Sequence, residues 1–246
     1  MSNVKAIFKK QFKGTVQNPE ILLQFILYPL LAFLLNIMFV QDFYGIPEDI
    51  AELLIANTPN MVTMQATIFA GMGLITVIAG IIAEDIEKKS LRFLTMAGVK
   101  PLSYLVGVSG VILLASLVTS MAFAWIAEFN GQNFWIFTAA MMSSVVGSTV
   151  LGAVIGMLAK NQQSASAIAM PIAVVLGFGP MMAQFNARMA DVMHVFYTQQ
   201  LNVVADYLTR GTGNTPLWQS FAIMWGNVAA LGILFVIVYR RKGLKG

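Results

Sequence analysis

The fold is decided by residues 61–101, MVTMQATIFAGMGLITVIAGIIAEDIEKKSLRFLTMAGVKP. The first part of this stretch, residues 61–83, contains no Asp, Glu, Lys or Arg. It is long enough to cross the apolar core of a bilayer, which takes about 20 residues. The second part, residues 84–101, is dense in charge. An uncharged run that ends abruptly in a charged segment predicts a membrane helix followed by a loop at the membrane surface.

The rest of the chain repeats the pattern of uncharged runs. Of the 246 residues, 58% are hydrophobic and only 11% are charged, whereas about 25% are charged in soluble domains. This composition excludes a soluble enzyme and a disordered tail, and the lack of Cys excludes a disulfide scaffold and a zinc–thiolate site. We expect an all-α integral membrane protein with one transmembrane domain. Its six predicted spans are 21–40, 61–83, 103–127, 134–158, 165–185 and 217–239.

Basic residues predict the orientation of these spans. Every Lys and Arg except Arg188 and Arg210 falls on one side of the predicted membrane. An excess of Lys and Arg marks the cytoplasmic side. We therefore expect a multi-pass protein of the cell membrane with both termini in the cytoplasm. Most acidic residues fall on the outer side, namely Asp42, Glu48, Asp49, Glu52, Glu128, Asp191 and Asp206.

Two segments outside the spans have an apolar character. Residues 1–20 place Ile7, Phe8 and Phe12 on one side of a helical wheel and Lys9 and Lys13 on the other. This pattern indicates an amphipathic helix in the cytoplasmic interface, although a basic leader that only sets topology remains open. Residues 186–216 are too apolar for a plain outer loop. We expect them to form one or two short re-entrant helices.

The segment 84–101 predicts a short helix at the cytoplasmic face. Acidic residues come first and basic residues follow, an order that suits a helix dipole. Leu91 and Leu94, with Phe93 beside them, give a short apolar edge; Gly98 fits a C-terminal cap and Pro101 fits a stop. Such a helix would offer apolar and charged side chains to a partner. The alternative is an ordinary solvated loop helix.

Small residues mark two of the spans. In the fourth span, small residues recur at every fourth position and allow a close helix contact, either within the chain or at a dimer seam; they are Ala140, Ser144, Ser148, Gly152 and Gly156. In the fifth span, Pro171 and Gly177–Pro180 predict a broken helix.

The sequence contains few residues that could carry chemistry. There is one His, no Walker A motif and no carboxylate inside a predicted span. The chain therefore cannot hydrolyse ATP by the Walker route, and it lacks the intramembrane carboxylate that ion-driven carriers usually need. We expect no metal site and no bound cofactor. The basic loops face lipid, so we also expect no nucleic-acid partner.

Three motifs together with the layout resemble a known family. They are Asn18-Pro19 with Tyr28-Pro29, Asp85-Ile86-Glu87-Lys88-Lys89-Ser90-Leu91 followed by Met96–Lys100, and Pro171 with Gly177–Pro180. In these motifs and in its six spans the whole chain resembles the type-2 ABC transporter membrane subunits, which include the G-type exporters. Two positions depart from the family pattern: Asp85 stands where Glu is usual, and Lys89 stands where Gly is usual.

The resemblance implies a function. Such permease subunits pair as homodimers or heterodimers, and each docks a separate cytosolic ATPase, which holds the ATP and Mg, through a coupling helix. The coupling residues implied here are Glu84, Asp85, Glu87, Lys88, Ser90, Leu91, Arg92 and Leu94. The substrate path would run between the second and fifth spans, and its candidate residues are Phe69, Met72, Val174, Phe178 and Met181. With no charge in the spans, the expected cargo is an apolar or amphipathic drug, peptide or lipid-like molecule that is exported.

Two other function classes remain open. The chain would be a non-transporting membrane protein, such as an immunity factor or an assembly scaffold, if it had no ATPase partner. A secondary carrier is the third class, and the lack of charge in the spans counts against it.

Overall fold

The computed structural model describes residues 2–41, 61–211 and 216–245. The outer loop that carries Asp42, Glu48, Asp49 and Glu52 lies outside the described residues. The described part of the chain consists of helices and their connections and contains no strand. Its helices are α1 (Ser2–Gln17), α2 (Pro19–Gln41), α3 (Met61–Glu87), α4 (Ser90–Met96), α5 (Pro101–Ile126), α6 (Gln132–Leu158), α7 (Gln162–Ala183), α8 (Ala187–Met193), α9 (Tyr197–Arg210) and α10 (Leu217–Lys245).

Six of these helices are long and apolar enough to cross a membrane. They are α2, α3, α5, α6, α7 and α10, and each overlaps one of the six predicted spans, of which two end one or two residues beyond their helix. The predicted all-α membrane fold is therefore confirmed. Many large apolar side chains of α2 and α10 are exposed, which suits helices whose outer surfaces face lipid.

Helix α3 lies at the centre of the bundle and packs closely on α6. A Cβ atom on Gly152 would lie 2.7 Å from the carbonyl oxygen of Ile75, and one on Gly156 would lie 2.7 Å from that of Ala79. The two backbones can touch only because these positions have no side chain. The other members of the small-residue series, Ala140, Ser144 and Ser148, are fully buried. Of the two predicted uses of this series, packing within the chain is confirmed.

Helix α7 is continuous, so the predicted break in the fifth span is wrong. It runs from Gln162 to Ala183 with Pro171 and Pro180 inside it. The glycines here serve close packing. A Cβ on Gly71, in a π-helical turn of α3, would lie 2.7 Å from the backbone nitrogen of Gly177. Neighbouring helices stabilise a membrane helix that contains Pro and Gly, and contact with α3 supplies such a neighbour.

The predicted outer segment forms two short helices, α8 and α9, which fold back on the bundle. Asn186 caps α8, because its side-chain oxygen accepts hydrogen bonds from the backbone nitrogens of Arg188 and Met189 at 3.0 and 3.3 Å. On α9, Tyr197 and Leu201 are buried. The Tyr197 hydroxyl accepts a hydrogen bond from Ser148 on α6 at 2.9 Å. The segment thus contains two helices, and their re-entry into the membrane stays a prediction.

Candidate functional site at the basic end of the bundle

The carboxylate cluster, Glu84, Asp85 and Glu87, lies in the last turns of α3, at the end of the bundle where α1, α4 and the α6–α7 connection also lie. We call this end the basic end. Asp85 is only 7% exposed. Its Oδ1 lies 2.6 Å from the ammonium of Lys10 on α1, and its Oδ2 accepts a hydrogen bond from the hydroxyl of Tyr104 on α5 at 3.0 Å. One carboxylate thus joins α1, α3 and α5.

The other two carboxylates connect α3 to α7. Glu84 accepts a hydrogen bond from Nε2 of Gln162 at 3.1 Å, and Oε2 of Glu87 accepts one from the Gln162 backbone nitrogen at 3.3 Å. Glu87 therefore lies at the positive end of the α7 dipole, which favours a negative charge. Glu84 also forms an ion pair with Lys88, and this hydrogen bond raises the pKa of the Lys88 ammonium.

These contacts correct one step of the sequence-based argument. The acidic residues were expected to begin a helix, where the dipole favours them. They end α3 instead, where the dipole of their own helix opposes them. The opposition is offset by Lys10, by Lys88 and by the N-terminus of α7.

A sharp turn separates α3 from α4. Lys89 occupies the left-handed region of backbone conformation, with φ of 57°, which is unfavourable for any residue with a Cβ atom. Helix α4 ends at Met96, and Gly98, with φ of 74°, takes the left-handed conformation typical of the predicted C-terminal cap. The next residue, Val99, is buried, and its carbonyl oxygen accepts a hydrogen bond from the Tyr239 hydroxyl on α10 at 3.1 Å. The turn and this contact fix α4 at both of its ends.

Helix α4 has an inner and an outer face. Leu91 is buried and Leu94 is half-buried, so both anchor the helix to the bundle. On the opposite side, Phe93 and Met96 are each 66% exposed, and Arg92 is exposed beside them. We call Arg92, Phe93 and Met96 the α4 surface. Two large apolar side chains and a guanidinium group, held on a fixed helix, form a suitable contact for another protein.

A family comparison covers this region. The model of the ABC-2 type transporter family matches residues 2–198, from α1 into α9, and so includes the carboxylate cluster and α4. The chain belongs to the ABC-2 type transporter family. A comparison with curated proteins found no match. Members of the ABC-2 family are membrane permeases of ABC transporters, and the permease subunit is usually non-catalytic.

In this ABC-2 permease, the residues expected to couple to an ATPase divide into two groups. Asp85 and Leu91 are buried, and Glu84 and Glu87 bind α7, so these four side chains make contacts within the chain. Lys88 and Arg92 are exposed, while Ser90 and Leu94 are intermediate. The coupling residues inferred from the sequence did not include the two most exposed apolar side chains of α4, Phe93 and Met96. Their i, i+3 spacing could have placed them on one helix face, opposite Leu91.

The expected substrate-path residues of the ABC-2 permease do not all share one surface. Val174 and Phe178 are exposed on α7, at 40% and 38%, and Met181 and Met72 are partly exposed. Phe69 is fully buried. Its ring centroid lies 5.6 Å from those of both Phe25 and Tyr28 on α2 and 6.1 Å from that of Phe123 on α5. Phe69 thus belongs to an aromatic core between α2, α3 and α5 and lies apart from the exposed face of α7.

Proposed function

We propose that the chain is the permease subunit of an ATP-driven exporter, that a separate cytosolic ATPase docks on the α4 surface, and that two permease subunits form the complete membrane unit. The observation that carries this proposal is the α4 surface, because it displays exposed apolar side chains on a helix that the rest of the bundle holds in place. ATP and Mg would bind the partner, since the chain has no Walker A motif.

The contacts of α4 give a route by which a partner could move the bundle. Only Lys88 and Lys89 separate α4 from α3, which packs backbone to backbone on α6 and α7. The carboxylate cluster links the end of α3 to α1, α5 and α7. A displacement of α4 would therefore be transmitted through α3 to α1, α5, α6 and α7 and would not be absorbed in a loop.

The exposed face of α7 supports an apolar or amphipathic substrate. Val174, Phe178 and Met182 project large apolar side chains there, and no predicted span carries a formal charge. A strongly charged solute would lose its hydration without compensation on such a face, whereas Phe and Met adapt well to an apolar body. The proposed path runs along this face, next to the second permease subunit, and leads out of the cell.

Co-purification tests the docking part of this proposal. The permease is expressed together with the ABC ATPases of the same genome and is isolated in mild detergent. The double variant Phe93→Ser, Met96→Ser should lose most of the bound ATPase while its amount in the membrane stays the same. Leu102→Ser is the matched control, because Leu102 is equally exposed at 64% but lies outside α4. Undiminished ATPase in the double variant would reject the α4 surface, and the lack of any bound ATPase in the native chain would reject ATP-driven export.

Glu87→Lys is a poor probe of docking despite its charge reversal. Glu87 accepts a hydrogen bond from the Gln162 backbone nitrogen at the start of α7, and a lysine there would meet the positive end of the α7 dipole. If that variant lost the bound ATPase, the loss could come either from a damaged fold or from a damaged interface, and the experiment would not distinguish the two causes. Phe93 and Met96 avoid this difficulty because their side chains project into solvent.

A further inference from the structure

A polar cavity of about 510 Å³ opens at the basic end, between α1, α2, α3 and α7. This volume lies within the range of small-molecule and cofactor sites, about 300–1,000 Å³. Its lining extends along α3 from Asp85 to Thr76, which corresponds to a depth of about 14 Å at 1.5 Å per residue. The cavity therefore reaches from the helix ends into the apolar part of the bundle, and Ser90 at the start of α4 also lines it.

The mouth of the cavity carries balanced charges. Lys10 and Lys88 supply two ammonium groups, and Glu84 and Asp85 supply two carboxylates. Each lysine already binds one of these carboxylates, but an ammonium has three hydrogens to donate and a carboxylate has several lone pairs. Both kinds of group can therefore bind a further partner. A ligand that matches this mouth carries one anionic and one cationic group close together.

The interior of the cavity is suited to the less polar part of such a ligand. Ile21, Val77 and Ile81 form apolar walls, and the amide of Gln24 on α2 lines the deeper part. Gly14 and Gly80 also line the cavity, and a Cβ atom at either position would have no atom within 4 Å. The open space thus extends directly over both backbones. An amphipathic molecule could place its polar group at the mouth and its apolar part along α2 and α3.

We propose that this cavity binds the headgroup of a phosphatidylethanolamine from the cytoplasmic leaflet. Its phosphate binds Lys10 and Lys88, and its primary ammonium donates hydrogen bonds to Glu84 and Asp85. A primary ammonium can donate three hydrogen bonds, whereas the trimethylated group of phosphatidylcholine donates none. A purely anionic headgroup could bind the two lysines, but it would bring no ammonium group to the two carboxylates. The residues that line the cavity include none of those that form the α4 surface or the exposed face of α7, so lipid binding can be tested apart from ATPase docking and from transport.

Lipid retention tests this assignment. The full-length protein is reconstituted in vesicles with equal amounts of phosphatidylethanolamine, phosphatidylcholine and phosphatidylglycerol, extracted in mild detergent and examined by native mass spectrometry. Native protein should retain phosphatidylethanolamine in preference to the other two lipids. Gly80→Leu fills the cavity and should reduce this retention about tenfold, which corresponds to 1.4 kcal/mol of binding free energy. Gly226→Leu is the control, because Gly226 on α10 also has open space at its Cβ position but lies outside the cavity.

Three results would overturn the proposal: equal retention in Gly80→Leu and native protein, preferential retention of phosphatidylglycerol, and retention of no lipid class above the level of the detergent wash. If Gly80→Leu does not accumulate, Gly14→Leu fills the same cavity from α1 and serves as the second variant. Loss of phosphatidylethanolamine from Gly80→Leu or Gly14→Leu, with native retention in Gly226→Leu, supports it. Because the readout is bound lipid, a failure here leaves the co-purification test of ATPase docking unaffected.

Discussion

Lys10 and Asp85 form a 2.6 Å ion pair between residues that are 75 positions apart in the chain. Lys10 is on the amphipathic N-terminal helix, and Asp85 is at the end of the central membrane helix. The Lys10 side chain is 59% exposed and that of Asp85 only 10%, so the carboxylate has lost most of its hydration and depends on its partners. Its other oxygen accepts a hydrogen bond from Tyr104. The pair fixes α1 to the bundle beside α4.

We expect Lys10→Met and Asp85→Asn to be coupled. Each change removes the ion pair, and residues within one hydrogen-bonded network typically show interaction energies of about 0.5–3 kcal/mol. Thermal unfolding of the two single variants and the double variant in detergent gives the coupling. Lys9→Met is the control, because Lys9 is an exposed lysine of the same helix and does not line the cavity that Asp85 lines. Additive effects of the two changes would show that the pair contributes nothing to holding α1.

Replacing Lys89 by glycine should stabilise the protein. Lys89 has a φ of 57°, and its Cβ atom makes this conformation unfavourable by about 1–2 kcal/mol. Glycine removes that cost but has more freedom in the unfolded chain, which leaves a net gain of about 0.5–1 kcal/mol. This also gives a physical reason for the glycine that the resemblance leads us to expect here. The measurement is the midpoint of thermal unfolding in detergent.

Lys100→Gly is the control for Lys89→Gly. Lys100 has a φ of −72°, which any residue adopts easily, so glycine should bring no gain there. Lys89→Val should lower the midpoint, because a β-branched residue tolerates positive φ poorly. An unchanged or lower midpoint in Lys89→Gly would contradict the assignment of strain to this turn.

Local composition was sufficient to predict the spans but not the contacts between them. An uncharged run of about 20 residues excludes other environments by itself, so all six long helices could be placed from the sequence. The ion-pair partner of Asp85 could not be predicted from the sequence, because Lys10 comes close to Asp85 only when α1 packs on the bundle. The error at α7 has the same origin. Pro171 and Gly177–Pro180 disfavour an isolated helix, and the sequence does not show that Gly71 lies opposite Gly177.

Residues 84–101, which contain α4, show the same limit: their sequence predicts a helix but not the contacts that the helix makes. Gly98 as a helix end follows from its backbone freedom and was predicted. Which side of α4 faces outward depends on what Leu91 packs against, and that contact comes from distant parts of the chain. A helical wheel of residues 90–96 separates Leu91 from Phe93 and Met96 but does not say which face is buried. Phe93 was therefore assigned to the same apolar edge as Leu91 and Leu94, and Met96 was missed, although the spacing of Phe93 and Met96 was visible.

Cysteine labelling should confirm that the basic end is cytoplasmic. The chain has no native Cys. Asn130, just before α6, and Gln163, at the start of α7, are both exposed and lie on opposite sides of α6 along the chain. An impermeant thiol reagent should label Asn130→Cys in intact cells and should label Gln163→Cys only after the membrane is opened. The reason is the excess of Lys and Arg at the end that contains Gln163. Labelling of Gln163→Cys in intact cells, with Asn130→Cys protected, would reverse the topology.

Phe69 and Phe178 should respond to alanine in opposite ways. Phe69 is fully buried in the aromatic core with Phe25, Tyr28 and Phe123. Phe69→Ala should therefore destabilise the protein by about 3–5 kcal/mol, as is usual for a buried Phe, and lower its amount in the membrane. Phe178 is 38% exposed on α7, so Phe178→Ala should leave a much smaller cavity and change stability little. The midpoint of thermal unfolding in detergent distinguishes the two variants.

A second measurement on Phe178→Ala tests whether Phe178 contacts the substrate or only packs against its neighbours. If the exposed face of α7 contacts an apolar cargo, Phe178→Ala should reduce drug- or lipid-stimulated ATPase activity of the assembled complex while its basal activity and amount remain native. Val118→Ala is the control, because Val118 is more exposed, at 69%, but lies on α5. Full stimulation in Phe178→Ala would remove Phe178 from the path, since an apolar side chain that contacts the cargo cannot be truncated without loss of binding area. An equal loss of stimulated ATPase activity in Val118→Ala would instead indicate a general effect of lipid-facing substitutions. The exposed face of α7 would then have no specific role in the substrate path.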